Sequence, residues 1–314
     1  MKVNVDNFVR AETDTYFAGH AQQAGGLGRF KHILTPTQPD YQPVVRMNRD
    51  TLYSGGVFDL TEPVTIVFPE ASGRFMSMIV VNEDHFVKFV TYDAGRHTLN
   101  ADAMGTRYVE VIFRTFVDPD DPQDVKAANA LQNRIGVEQR SPGVLDLPQW
   151  DRASLDACRA AILGLGPFMP DNSRTFGDAD DVDAVRHLVG TARGWGGNRE
   201  ADAVYQLVYP ERNDGETPYV LLVKDVPVDG FWSISLYNAK GYFEKNEHGA
   251  YSLNNVTAKP DADGGYTIRF GGDPSLDNYL YIMPGWNYTV RLYRPRPAIL
   301  DGSWRFPTPV PASR

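Results

Sequence analysis

Hydrophobic and polar positions along the chain fall into three textures. Near the N-terminus Asn7, Phe8, Ala11, Thr15 and Tyr16 recur at helical spacing and the pattern breaks at Gly25-Gly26-Leu27-Gly28, which predicts a helix and then a loop within residues 5–32. From Val44 onward come short apolar runs bounded by turn residues: VVRMNRDTLYSGGVFDL, VTIVFP, RFMSMIVVN, HFVKFVTY and YVEVIFRTF. Their β-branched and aromatic content predicts strands. At Asp118-Pro119-Asp120-Asp121-Pro122 this texture stops, and Val125, Ala128, Leu131 and Ile135 resume helical spacing. Two more helices are predicted near 152–165 and 181–193, the latter with aspartates at its entry, where the helix dipole is positive. Strand texture returns in YVLLVK (219–224), FWSISLYN (231–238), GYTIRF (265–270), NYLYIM (278–283) and NYTVRLY (287–293). The proline-rich end, Arg294 to Pro311, suits an extended tail anchored by Trp304 and Phe306 rather than an interior strand.

These textures predict a mainly β protein with helical segments, built as two β-sandwich domains. Its expected boundaries are an N-terminal helix plus sandwich over 1–122, a helical connector over 123–194, and a C-terminal, jelly-roll-like sandwich over 195–314. The length of 314 residues agrees, since single cores stop growing at roughly 250–300 residues. No internal repeat marks a solenoid or propeller.

Composition narrows the partners. A net charge of −9 without a basic block disfavours nucleic acid and anionic membranes. No apolar run reaches the roughly 20 residues that a spanning helix needs, and MKVNVDNFVR has no secretory core. With Cys158 the only cysteine, no intrachain disulfide can form, and the expected compartment is the cytoplasm, or the exterior if a leader has been removed. Homo-oligomerisation is left open by composition.

The stretch Asn48-Arg49-Asp50-Thr51-Leu52-Tyr53, continuing into Ser54-Gly55-Gly56-Val57-Phe58-Asp59, resembles the N-D-T-L-Y signature of the bacterial domain of unknown function 1254. Trp195-Gly196-Gly197-Asn198, then Val228-Asp229-Gly230-Phe231-Trp232-Ser233-Ile234-Ser235-Leu236-Tyr237, Val290-Arg291-Leu292-Tyr293-Arg294-Pro295 and Leu300-Asp301-Gly302-Ser303-Trp304 are similar to its usual companion, domain of unknown function 1214. Specific motifs cover about residues 40–60 and 195–305, with Tyr281-Ile282-Met283-Pro284 standing where many members carry Trp-Leu-Pro. The resemblance implies two β-sandwich domains and no settled activity.

Chemistry concentrates in the hexapeptide. If it is a strand, Arg49, Thr51 and Tyr53 share one face, and Asn48, Asp50 and Leu52 the other. One reading makes Asp50 a general base, with Asn48, Arg49, Thr51 and Tyr53 holding substrate; the other makes these residues a buried Arg–Asp network. Asn82-Glu83-Asp84-His85 lies between two predicted strands and comes near if strands 44–59 and 75–92 pair, so His85 and Glu83 are candidate acid/base partners, against the plainer account of a solvated turn. Tyr237 and Arg291 fall on the polar faces of two amphipathic strands, suited either to a polar ligand or to ordinary outward alternation. Trp195 is a candidate aromatic wall or interface filler.

The six histidines, 20, 32, 85, 97, 187 and 248, lack metal-binding spacing, and no Walker loop, dinucleotide loop or nucleophile elbow is present, so neither metal nor cofactor is expected. Two functions follow. One is a cofactor-independent enzyme, hydrolase or lyase in type, acting on a small polar or carbohydrate-like substrate; the other is a non-catalytic small-ligand or glycan-binding protein.

Overall fold

The computed structural model describes residues 1–42 and 45–312. The chain is mainly β with six α-helices among the described residues, and divides into two compact units, each discontinuous in sequence. The first comprises Met1–Leu34, Leu52–Phe116 and Lys126–Glu200; the second comprises Thr35–Thr51, Val117–Val125 and Ala201–Arg314. The segment 123–194, read as a connector, thus lies almost wholly within the first unit.

In the first unit, helix α1 (Phe8–Ala24) buries Phe8, Ala11, Phe17 and Ala21 and ends at Gly25, whose left-handed backbone (φ 77°) returns its N–H to Ala21 and Gln22 carbonyls. Tyr16, on the apolar face by spacing, is instead exposed. Then come β1 (Lys31–His32), β2 (Thr51–Asp59), β3 (Val64–Phe68), β4 (Met76–Asn82), β5 (Val87–Thr91), β6 (Gly95–Leu99), α2 (Ala101–Met104), β7 (Tyr108–Phe116), α3 (Pro122–Gln132), β8 (Gly136–Glu138), α4 (Arg152–Leu163) and α5 (Ala184–Gly194). A five-stranded sheet, β1-β2-β7-β4-β5, shares one core with the three-stranded sheet β6-β3-β8, Phe58, Met78, Val111 and Phe113 meeting Ile66 and Phe68. On its other face Val57 and Tyr108 meet Phe17, Ala21 and Trp195. Helices α4 and α5 join α1 through Leu155, Ile162, Val189, Phe8 and Ala11, which is why they belong to this unit.

The expected pairing of strands 44–59 and 75–92 does not form, because the fully buried β7 lies between β2 and β4. Nor is the hexapeptide a strand throughout: β2 begins only at Thr51, Arg49 and Asp50 form a bend before it, and Val44, the expected start, lies outside the described residues.

The second unit contains β9 (Ala203–Val208), β10 (Tyr219–Val223), β11 (Trp232–Tyr237), β12 (Ser252–Asn254), β13 (Tyr266–Phe270), β14 (Tyr279–Leu280), β15 (Asn287–Tyr293), α6 (Pro297–Leu300) and β16 (Val310–Pro311). Two four-stranded sheets, β14-β13-β10-β16 and β12-β11-β15-β9, bury Leu221, Ile268 and Phe270 from one against Ile234, Leu236, Val290 and Leu292 from the other. Phe306 of the tail joins this core, and β16 pairs along the edge of β10, where a proline costs no ladder bond. Strands β11 and β15 are antiparallel neighbours, Ser233 opposite Arg291 and Tyr237 opposite Asn287. Their polar face is covered: Ser233, Ser235, Tyr237, Thr289 and Arg291 are all buried.

Candidate active site

What covers that face is the segment from Arg46 to Asp50. Arg291 donates to Ser235 Oγ and Tyr237 Oη, both at 2.8 Å, and to the Arg46 carbonyl at 2.9 Å; Tyr237 Oη donates to the Met47 carbonyl at 2.7 Å. Asn48 ties the bend together. Its amide donates to Thr51 Oγ1 (3.1 Å) and Tyr293 Oη (2.8 Å), and its Oδ1 accepts the Asp50 N–H (2.7 Å). Asp50, wholly buried, accepts from Asn254 Nδ2 at 3.0 Å. Burial pushes its carboxyl above the usual carboxylate range, partly opposed by the Asn254 amide, Arg291, Ser233 and Arg49. Arg49 donates to the Thr37 carbonyl (2.7 Å) and Asp120 Oδ1 (3.0 Å), its guanidinium 5.0 Å from the centre of the Tyr251 ring. Asn48, Arg49, Asp50, Thr51, Tyr237 and Arg291 therefore form one buried network within the second unit. Exposed polar faces for a ligand, as the alternation of β11 and β15 suggests, are absent there because the chain itself occupies them.

His85, Glu83, Tyr53 and Trp195 belong to the first unit. His85 sits at φ 60° in a turn, with Nδ1 2.8 Å from Thr191 Oγ1 and Nε2 accepting the Gly196 N–H at 2.8 Å. Because the Thr191 hydroxyl donates to the His187 carbonyl (2.8 Å), it can only accept from Nδ1–H, which fixes the neutral tautomer. Burial, then the neighbouring His187, lowers the His85 pKa well below the ordinary histidine value. Both nitrogens are engaged, and none is left for a substrate. Glu83 accepts the Tyr108 N–H at 3.0 Å, a backbone cap rather than an open carboxylate. Trp195 stacks between Tyr16 (4.6 Å, 12°) and His85 (5.3 Å, 23°) and donates Nε1–H to Thr13 Oγ1 at 3.1 Å.

A different pair lies on the helix-facing side of the five-stranded sheet. His20 of α1 places Nδ1 2.8 Å from both carboxylate oxygens of Glu110 on β7. The Glu110 side chain is buried, that of His20 is 33% exposed, and His20 Nε2 makes no hydrogen bond among the described residues. Burial opposes charge on the imidazole, but the Glu110 hydrogen bond and charge outweigh it, and the His20 pKa is raised. Burial likewise raises Glu110, with the bonded His20 pulling it back. A Cβ at Gly55 would stand 3.0 Å from Glu110 Oε1, so glycine there leaves room for the carboxylate. Farther along the same faces, Arg114 donates to the Gly196 carbonyl at 2.7 Å and lies 5.5 Å from the Tyr53 ring centre. The arrangement can hold an oriented imidazole, its outer nitrogen open to a reacting group.

Sequence reasoning considered His20 only as a metal ligand and passed over Glu110. A signal was present: Glu110 and Arg114 interrupt the otherwise apolar YVEVIFRTF at strand spacing, and a buried charge needs a partner. Among the described residues no group of three or more His, Cys, Asp or Glu side chains is placed to hold a metal, and no helix is long and apolar enough to cross a membrane.

Residues 27–98 match the family model described as a protein of unknown function, DUF1254, and residues 209–297 match that of a second, DUF1214. No curated protein matches the chain. Among solved structures, the VPA0106 protein of Vibrio parahaemolyticus is similar at 18% identity and TM-score 0.73, covering 99% of this chain and 100% of that one. An uncharacterized protein from Burkholderia cenocepacia is similar at 12% identity and TM-score 0.54, over 97% and 87% of the two chains. At these identities the likeness is one of fold. The order of the two matched regions, which carry the hexapeptide and the β11 and β15 motifs respectively, identifies the chain as a member of the family in which DUF1254 is followed by DUF1214.

Proposed function

We propose that the protein is a cofactor-independent enzyme acting on a small polar molecule by acid/base chemistry, with His20 transferring the proton and Glu110 orienting it. The observation that carries this reading is the contrast between the two histidine sites. At His85 both nitrogens are spent on the fold, whereas at His20 one nitrogen is held by a buried carboxylate and the other is open. When Nε2 accepts a proton the imidazolium keeps its Nδ1–H on Glu110, so the charge forms beside a buried acceptor already in place. Tyr16 and Trp195 pack against the imidazole at 5.7 and 5.9 Å between ring centres and restrict its rotation.

The test is a comparison of wild type and His20→Asn incubated with a complex metabolite extract, read by mass spectrometry. Depletion of a compound by the wild type alone is expected; identical depletion by both proteins would remove His20 from the chemistry.

A further inference from the structure

Arg46, at the start of the segment that covers β11 and β15, has a left-handed backbone (φ 54°) that residues other than glycine rarely adopt. Two bonds hold it there: its N–H donates to the Gly241 carbonyl at 2.8 Å, and its carbonyl accepts from Arg291 at 2.9 Å. Backbone kept in such a conformation from both sides points to a side chain placed for use. The guanidinium donates through Nη1 to Asn287 Oδ1 (2.7 Å) and Thr289 Oγ1 (3.4 Å), both buried residues, and through Nη2 to Tyr209 Oη (2.8 Å). Asn287 is itself fixed, its amide donating to the Asn238 carbonyl at 2.9 Å. The ring centres of Tyr209 and Tyr237 lie 5.8 and 5.5 Å from the central guanidinium carbon, close enough for both faces to steady the charge.

Every partner of this cation is neutral. Of the five N–H groups of a guanidinium, Nε–H and the second hydrogen on Nη2 have no acceptor among the described residues. Nε and Nη2 form one edge of the guanidinium, the geometry that takes both oxygens of a carboxylate side by side. Tyr209 adds a third donor, since its hydroxyl accepts from Nη2 while its own hydrogen has no acceptor among the described residues, and the residue is 60% exposed. Arg291 differs in being buried, with its donors held on Ser235, Tyr237 and the Arg46 carbonyl.

We propose that Arg46 and Tyr209 form a binding site for the carboxylate group of a small molecule, its two oxygens on the Nε–Nη2 edge and one of them also accepting the Tyr209 O–H. The site lies within the second unit and does not rest on the acid/base reading of His20, which belongs to the first. A single positive charge with one flat, two-donor edge suits a planar monoanion. Because Asn287 and Thr289 already hold the guanidinium, little side-chain freedom remains to be lost on binding.

Acetate serves as the probe, with acetamide as its neutral counterpart of the same shape and sodium chloride keeping the ionic strength constant. The readout is the Arg46 Nε–H cross-peak in proton–nitrogen NMR spectra, assigned by its loss in Arg46→Lys. Acetate is expected to move this cross-peak saturably and acetamide to leave it in place. Tyr209→Phe, a change at an exposed position, keeps both the cation and the resonance, and the acetate midpoint there should rise about three- to tenfold. No saturable shift with acetate, an equal shift with acetamide, an unchanged midpoint in Tyr209→Phe, or tighter binding of inorganic phosphate than of acetate overturns the proposal.

Discussion

The backbone N–H of Gly196 donates to His85 Nε2 at 2.8 Å and thereby holds a histidine neutral in the interior. Since the folded His85 pKa lies well below its ordinary value, the unfolded chain takes up a proton first on acidification. Its contribution is fully present above about pH 6.5 and is lost as pH falls below that. Thermal melts from pH 8 to pH 5 should show the melting temperature falling below pH 6.5. His85→Asn should be less stable by about 1–3 kcal/mol at neutral pH and show less of this fall, with turnover per folded molecule unchanged.

Asp14 supplies the opposite sign. Buried on α1, it accepts from Trp150 Nε1 at 2.7 Å, and burial above all, aided by Glu83 and Asp84, raises its pKa to about 6 despite that bond. Stability from a raised carboxyl is full below the unfolded pKa and declines as pH rises from about 4 through 6. Asp14→Asn keeps an acceptor for Trp150 and removes the ionisation, so denaturant midpoints should show a gain of about 1–2 kcal/mol at pH 7 and little gain at pH 4. Equal gains at both pH values would contradict the assignment.

Arg291 anchors the covered sheet face. Arg291→Met strands the partners of its donors at Ser235, Tyr237 and the Arg46 carbonyl and removes from Asp50 the larger of its two cationic influences, Arg49 being the other, for an expected loss of about 3–5 kcal/mol. Chemical denaturation measures it. An undiminished midpoint would mean that the network is dispensable.

Glu110→Gln isolates the orienting role of the carboxylate. The His20 pKa should fall, since the bond and charge that raise it are weakened, and turnover should drop by about 10²-fold or more while the fold persists. Circular dichroism and the His20 titration together separate this outcome from misfolding.

Much of the architecture was legible in the sequence. Helices α3, α4 and α5 followed from spacing and from Asp-rich entries, Asp183 indeed capping Val185 and Arg186, and the long strands β7, β11 and β15 followed from β-branched and aromatic runs. Two-residue strands such as β1 and β16 carry too few positions for a period to show. Strand order was not legible either: the insertion of β7 between β2 and β4 is a long-range choice that local alternation does not encode. The hexapeptide stands out in the sequence as an unusual concentration of charged and amide groups, yet the Asn254 and Tyr293 side chains that bond it and the Arg291 charge that acts on Asp50 are some two hundred residues away and no spacing reveals them. The dyad was missed because its halves lie on a helix and a strand with 90 residues between them.

The hydrogen bond from Asn48 to Tyr293 spans 245 positions. A ribosome adding about 5–20 residues per second needs on the order of 10–50 s to pass from one to the other. For that interval Arg49 and Asp50 have emerged while the sheet that shelters them has not been made, so the second unit closes only once the chain has been made as far as Tyr293. An early segment must stay solvated and unaggregated until then, and its dense charge suits that wait as well as its final burial.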